Sequence, residues 1–173
     1  MKDGAALIGI IMGSDTDLPV MSEAGKTLEK FGVVFEMEVI SAHRAPARTH
    51  EYASSAVSRG LKAIIVGAGG AAHLAGVVAS LTTLPVIGVP MATTALNGMD
   101  SLLAIVQMPA GIPVATMAID KAGAVNAAIF ALQVLGLSDA RIAEKLIGHK
   151  KDLAASVAEK NSRLQAELGK RRG

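Results

Sequence analysis

Three segments of this chain carry side chains that could do chemistry, and each directly follows a short apolar run. They are GSDTD (residues 13–17), SAHRAP (41–46) and GAGGAAH (67–73). Free backbone N–H groups, hydroxyls and an arginine fork bind phosphate, and an imidazole transfers protons near neutral pH. Together these groups suit a small phosphorylated substrate whose reaction moves a proton.

The second segment gives the sharpest prediction. Arg44 is the one basic residue of the body that follows a strand on this side of the predicted sheet, and Ser41 lies three residues before it. An arginine fork matches the geometry of phosphate, so we predict that Arg44 and Ser41 bind it. A lone histidine is more often structural than catalytic. Because His43 stands between an anion ligand and a helix start, we predict that it transfers the proton.

The first segment leaves two interpretations of its last acid open. Ser14 and Thr16 offer hydroxyl donors at the start of a predicted helix, where anions bind. Asp17 repels phosphate, so its functional role would be to accept hydrogen bonds from ribose hydroxyls. The alternative is that Asp17 only caps the helix that begins there.

The third segment formally matches the dinucleotide fingerprint G-x-G-x-x-A, but weakly. It follows the third predicted strand rather than the first, and no acid ends the next strand, at residues 89–91. We therefore predict that Gly69, Gly70 and Ala71 let the backbone approach a small anion or carboxylate, with Leu74 following them. His73 is either a second polar wall of the site or only a helix N-terminal residue.

The elements that must position these segments alternate along the chain. Short, β-branched apolar runs without clean alternation are typical of strands covered on both faces, and their alternation with helices predicts parallel pairing. Right-handed crossovers then give a three-layer α/β/α sandwich with a flavodoxin-like (Rossmann-like) sheet, and all three segments at one edge. The predicted strands are 7–12, 33–40, 62–66, 85–89 and 112–117, and the predicted helices are 17–31, 46–59, 70–81, 98–107 and 120–136.

The end of the chain differs from the body. A helical pattern runs from residue 138 to about 168, and an apolar stripe follows it at spacings of four and seven. Such a helix would be about 45 Å long, which exceeds the width of the body. We predict an α/β domain at 1–137 and a helical tail at 138–173 that packs on another subunit, although it could instead fold back on its own domain. The stripe comprises Ile142, Leu146, Leu153, Val157, Leu164 and Leu168.

Composition excludes several functions. The 173 residues contain no cysteine, which removes thiolate catalysis and cysteine-ligated zinc and is compatible with a reducing cytoplasm. Aromatics make up only 2%, so stacking on nucleic-acid bases is not expected. The excess of basic residues lies in the tail, mostly at 170–172, rather than on the body. Because the body carries no basic excess, we expect no nucleic-acid partner. Because no apolar run reaches about 18 residues, we expect no membrane partner.

Taken together, the motifs resemble those of the class I N5-carboxyaminoimidazole ribonucleotide mutases of purine biosynthesis. That family shows G-S-x-S-D, S-A-H-R-T-P, G-A-G-G-A-A-H-L, L-P-V-I-G-V-P and D-S-L-L-x-I-V-Q-M-P-x-G-x-P-V-A-T in this order, and the likeness covers residues 7 to 137. This chain departs from the pattern at five positions. Thr16 replaces serine, Ala45 threonine, Ala75 proline, Thr94 a common lysine and Asp120 a usual glycine.

The resemblance implies an isomerase that moves a carboxylate from N5 to C4 of an aminoimidazole ribonucleotide, without metal, biotin or ATP. By resemblance, His43 is the general acid and base. Ser14, Ser41 and Arg44 would bind the 5′-phosphate, and Asp17 the ribose. The 67–73 loop would cover the carboxylate and carbon dioxide, with His73 nearby. The resemblance also implies a homo-octamer that exchanges its late helix between subunits. The alternatives are a direct aminoimidazole ribonucleotide carboxylase, a non-catalytic ribonucleotide-binding module and an NAD-dependent oxidoreductase.

Overall fold

The computed structural model describes residues 4–170, so the final basic residues 171–172 of the predicted tail lie outside the described residues. Five strands form one parallel sheet in the order β2-β1-β3-β4-β5. This is the flavodoxin-like order, and it confirms the predicted fold class. The strands are β1 (Ile8–Met12), β2 (Phe35–Val39), β3 (Ala63–Gly69), β4 (Val86–Met91) and β5 (Ala115–Thr116).

Helices cover both faces of the sheet and enclose two apolar clusters. One cluster packs α1 and α5 on one face, and the other packs α2, α3 and part of α4 on the opposite face. The central strands β1, β3 and β4 are buried almost throughout, which explains their continuous apolar runs. The helices are α1 (Leu18–Phe31), α2 (Pro46–Ser55), α3 (Leu74–Leu81), α4 (Met99–Val106), α5 (Asp120–Gly136) and α6 (Ala140–Lys170).

Some element boundaries differ from those predicted. Helix α3 begins at Leu74 rather than at 70, because β3 continues to Gly69 in register with Met91 of β4 and Gly70 then turns the chain at a φ of 60°. Helix α2 ends at Ser55 rather than at 59, and β5 retains only two paired residues. The glycine-rich segment is therefore part strand and part loop.

Helix α6 is continuous through Gly148 and spans 31 residues, or about 46 Å. Its first turns pack on the body, where Ile142 is buried. Farther along, the stripe is open: Leu153, Val157 and Leu164 are 55%, 65% and 51% exposed. Beyond these first turns, the stripe is not covered by the tail's own domain. No helix within residues 4–170 is both long and apolar enough to span a membrane.

Candidate active site

A cleft of about 280 Å³ opens at the carboxyl edge of the sheet, where the chain leaves β1, β2, β3 and β4. Because β1 leads outward to β2 on one side while β3 begins the other half, this edge is the topological switch point at which open α/β sheets bind ligands. The cleft is close to the lower end of the range for small-molecule sites, about 300–1,000 Å³. It is lined by residues 13, 14, 16 and 17, by 41–44, by 68, 69, 71, 73 and 74, and by Thr93.

The loop after β1 is organised by Ser14. Its hydroxyl accepts a hydrogen bond from the Thr16 backbone N–H at 3.3 Å and from the Thr16 hydroxyl at 2.9 Å, which caps the single 3₁₀ turn Asp15–Asp17. Helix α1 follows directly, with Pro19 in its first turn. The hydroxyls and the start of this helix therefore face the cleft together, as an anion site requires.

Asp17 does not cap helix α1 through its side chain, contrary to one of the two interpretations of the sequence. Its side chain lines the cleft, and the residue is only 4% exposed. Burial raises the pKa of this carboxyl, and the nearby carboxylates of Asp120 and Asp15 raise the pKa further, against the lowering effect of the Ser14 backbone. A buried acceptor without a capping role is available for a ligand hydroxyl.

We expect Asp17→Asn to stabilise the folded protein at neutral pH. The raised pKa means that folding disfavours the charged carboxylate. This penalty is absent below the ordinary pKa of an unfolded Asp and grows as pH rises through the raised folded value. Melting temperatures at several pH values check this: the variant should exceed wild type at pH 7 and converge with it in acid. A gain that is largest in acid would contradict the assigned sign.

The loop after β2 is a tight turn that presents Arg44. The Ala45 N–H donates to the Ser41 carbonyl at 2.8 Å, and the Arg44 N–H donates to the Ser41 hydroxyl at 3.3 Å. Among residues 4–170, no carboxylate forms an ion pair with the Arg44 guanidinium, whereas the nearby Arg48 pairs with both Glu38 and Glu51. An exposed guanidinium at the rim of a cleft, free of an internal counter-ion, is suited to an external anion.

His43 and His73 meet across the cleft. Nε2 of His43 lies 2.9 Å from Nδ1 of His73, and the two rings form an edge-to-face pair with centroids 5.0 Å apart. Two imidazole nitrogens at this distance form a hydrogen bond only when one of them carries the hydrogen. The loops after β2 and β3 thus bring a donor and an acceptor nitrogen together. His73 lines the cleft and also directly precedes α3, so its position fits both interpretations of the sequence.

The loop after β3 brings backbone close to the cleft. Gly69 lies directly against the side chain of Thr93, and a Cβ at position 69 would overlap the threonine hydroxyl. Ala71 and Leu74 complete this wall. Gly70 does not line the cleft. Its positive φ instead turns the chain from the end of β3 toward α3.

Every predicted site residue except Gly70 therefore lies in one cleft. Sequence reasoning missed Thr93, which enters from the end of β4 without any motif around it. Its position after a central parallel strand was the available signal, because the carboxyl ends of such strands meet at this edge. The sequence marks Asp120 only as a departure from a motif, whereas in the structure its carboxylate lies near enough to act electrostatically on Asp17.

A flavodoxin-like sheet with a polar cleft at its switch point places the chain among the open α/β proteins, whose ligands bind at this edge. The sequence model of the AIR carboxylase family matches residues 7–156, and the chain belongs to that family.

Individual relatives agree with this placement. The chain is 60% identical over 169 residues to the N5-carboxyaminoimidazole ribonucleotide mutase of Pyrococcus horikoshii, covering 98% of this chain and 94% of the relative. It is 52% identical over 160 residues to the phosphoribosylaminoimidazole carboxylase of Candida glabrata, covering 92% of this chain but 28% of that protein. The crystal structure of Treponema denticola PurE superposes with a TM-score of 0.82 at 25% identity, covering 92% of this chain and 98% of that one.

Proposed function

We propose that this protein is an isomerase of purine biosynthesis that converts N5-carboxyaminoimidazole ribonucleotide to its C4-carboxylated isomer. The observation that carries the proposal is the placement of the His43 imidazole beside the Arg44 guanidinium, which has no ion-pair partner within residues 4–170, in one cleft with a buried carboxylate. The relative from Pyrococcus horikoshii is named a mutase and matches nearly the whole of this chain, which supports the same reaction.

The loops after β1 and β2 together supply the side chains that bind the phosphate and the ribose. Arg44, Ser41 and Ser14 line one part of the cleft and offer a charged fork and two hydroxyls to the 5′-phosphate. Asp17 lies deeper and accepts hydrogen bonds from the ribose hydroxyls. Since phosphate and carboxylate repel, this arrangement fixes the orientation of the bound ribonucleotide. In that orientation the imidazole ring of the substrate lies near His43.

The chemical step breaks the N5–carboxylate bond, which releases carbon dioxide, and the leaving nitrogen gains a proton. C4 then attacks the trapped carbon dioxide and loses its proton. His43 is the acid and base that exchanges this proton between N5 and C4. His73, hydrogen-bonded to it at 2.9 Å, positions the ring and determines which nitrogen carries the hydrogen.

Retention of carbon dioxide is the second requirement of the step. Gly69 and Ala71 bring backbone against this part of the cleft, so carbon dioxide released there stays beside C4. Holding two reactants together is worth an effective concentration far above any dissolved one. We propose that no metal, nucleotide or other cofactor takes part.

The test is substrate discrimination with the purified protein. Conversion of the N5-carboxylated ribonucleotide is followed by ultraviolet absorbance and compared with carboxylation of aminoimidazole ribonucleotide in bicarbonate buffer. We expect rapid turnover of the first compound in the absence of ATP. Folded protein that turns over only the second compound would overturn the mutase proposal.

That second outcome would favour the alternative, a direct aminoimidazole ribonucleotide carboxylase. The observation behind it is the relative from Candida glabrata, which is named a carboxylase and matches this chain over 92% of its length. Because the match covers only 28% of that longer protein, the rest of it is available to supply other steps. The discrimination assay separates the two reactions directly.

We further propose that residues 1–137 form the catalytic domain and that the tail at 138–173 joins copies into a homo-octamer in the cytoplasm. The open stripe of α6 supports the assembly, since exposed apolar residues at helical spacing are typical of an interface. The double variant Leu153→Asp, Val157→Asp should run as a smaller species than wild type in size-exclusion chromatography with light scattering.

The matched control for this prediction places the same charges on the opposite face of the same helix, at Ala155 and Ser162. Both positions are exposed in α6. The control double variant should retain the wild-type mass. Equal masses for wild type and both double variants would show that the stripe does not hold the assembly together.

A further inference from the structure

The segment between β4 and α4, residues 92–98, forms one wall of the cleft through Thr93. We call it the β4–α4 loop. Thr93 lies so close to Gly69 that no Cβ fits between them, so the position of this loop sets the width of the cleft near the end of β3. A shift of the loop would therefore change the space available to a ligand.

Three side-chain hydrogen bonds tie this segment to the helices around it, two from α4 and one from α5. At its start, the Ser101 hydroxyl donates to the Met91 carbonyl at 2.8 Å, and the Ala92 N–H donates to Oδ1 of Asp120 at 2.9 Å. Farther along, the Thr94 hydroxyl donates to Oδ2 of Asp100 at 2.6 Å. Of these anchors, only Asp120 lies outside β4, the loop and α4, since it begins helix α5.

Asp120 occupies an unfavourable backbone conformation. Its φ is 58°, a left-handed value that glycine adopts freely and that most other residues avoid. Aspartate and asparagine tolerate this conformation best among residues with a Cβ. An aspartate here, at a position that glycine would occupy without strain, has a carboxylate that the geometry uses: it accepts the Ala92 N–H next to Thr93.

We propose that Asp120 is a positioning residue for the reaction in the cleft. Its carboxylate oxygen fixes Ala92, and through Ala92 it holds Thr93 against Gly69, so that this wall of the cleft keeps its shape around the substrate. This inference rests on the proposed function only for its kinetic readout. The hydrogen bond between α5 and the loop is an independent structural claim.

Two substitutions separate the acceptor oxygen from the charge. Asp120→Asn keeps an oxygen that accepts the Ala92 N–H, tolerates the positive φ and removes the charge that faces Asp17. Asp120→Gly removes both the acceptor and the charge and relieves the backbone, so it should fold at least as well as wild type. A comparison of melting temperatures confirms folding before any kinetic measurement.

We expect Asp120→Gly to raise KM for the N5-carboxylated ribonucleotide by roughly tenfold, as the loss of one hydrogen bond to a charged group would. The change in kcat should be smaller. Asp120→Asn should restore KM to within about twofold of wild type on the same grounds. In parallel, amide hydrogen exchange at residues 92–94 should speed up in the glycine variant and not in the asparagine variant.

Two results for the variants would overturn the role of Asp120. A glycine variant with wild-type KM and wild-type exchange at residues 92–94 overturns the inference. An asparagine variant as impaired as the glycine variant overturns it too, because charge rather than the acceptor oxygen would then be responsible. If the wild-type protein itself turns over no N5-carboxylated ribonucleotide, the proposed function fails, and equal exchange in all three proteins would be the separate result that rejects the anchor.

Discussion

Replacing His43 with asparagine should lower kcat by about 10²–10⁴-fold, the usual contribution of a positioned general acid and base. Asparagine retains a polar side chain of similar reach but cannot exchange a proton near neutral pH. His43 is exposed in the cleft and forms its one side-chain hydrogen bond within residues 4–170 to His73, so folding should be unchanged. Steady-state kinetics gives kcat, and calorimetric titration with the C4-carboxylated product gives the dissociation constant.

Binding is expected to survive this substitution, because the phosphate and ribose contacts come from other residues. The matched control is His50→Asn, the same change at an exposed position of α2 outside the cleft. That variant should keep wild-type kcat. A His43→Asn protein with wild-type kcat would remove proton transfer from His43, and one that no longer binds product would assign His43 to binding.

Replacing Arg44 with methionine should raise KM by roughly 30-fold to 1,000-fold. The loss of a charge-assisted contact to a phosphate costs about 2–4 kcal/mol, within the range for truncating one partner of a charged pair. The kcat at saturation should change much less, since the phosphate is remote from the reacting atoms. Initial rates across a wide substrate range measure the two parameters separately.

The comparison for this variant is Arg48→Met, which makes the same chemical change four residues away. Arg48 pairs with Glu38 and Glu51 on the surface, and such exposed ion pairs contribute little to stability. Its KM should stay within about twofold of wild type. A dephosphorylated nucleoside product that binds wild type and Arg44→Met equally would locate the loss at the phosphate. Equal KM for both methionine variants would refute the assignment.

Much of the fold could be predicted because its signals are local and repeated. The β-branched runs at β1 and β3 bury both faces of a central strand, and such runs predict parallel pairing without any knowledge of register. Once the strands are parallel, the loops at 13–17, 41–46 and 67–73 must share one edge. The candidate site follows from this topology rather than from any one motif.

The remaining features depend on contacts between distant parts of the chain. Strand β3 extends to Gly69 because Gly69 pairs with Met91 of β4. Strand β5 is short because it pairs with only two residues of β4. Likewise, the sequence does not show that Ser14 caps the 3₁₀ turn ahead of α1 while the Asp17 side chain makes no capping hydrogen bond. Neither the proximity of Thr93 to Gly69 nor the bond from Ala92 to Asp120 leaves a periodic trace in the sequence.

We propose that the His43 imidazole reaches the ring carbon that gains the carboxylate while the phosphate is held at Arg44. A crystal structure of this protein with the C4-carboxylated ribonucleotide bound tests it most directly. We predict a ring nitrogen of His43 within about 3.5 Å of C4 or its carboxylate, which is close to hydrogen-bond reach, and phosphate oxygens within that reach of the Arg44 guanidinium. A ribonucleotide bound with its phosphate at His73 and its imidazole ring away from His43 would contradict it.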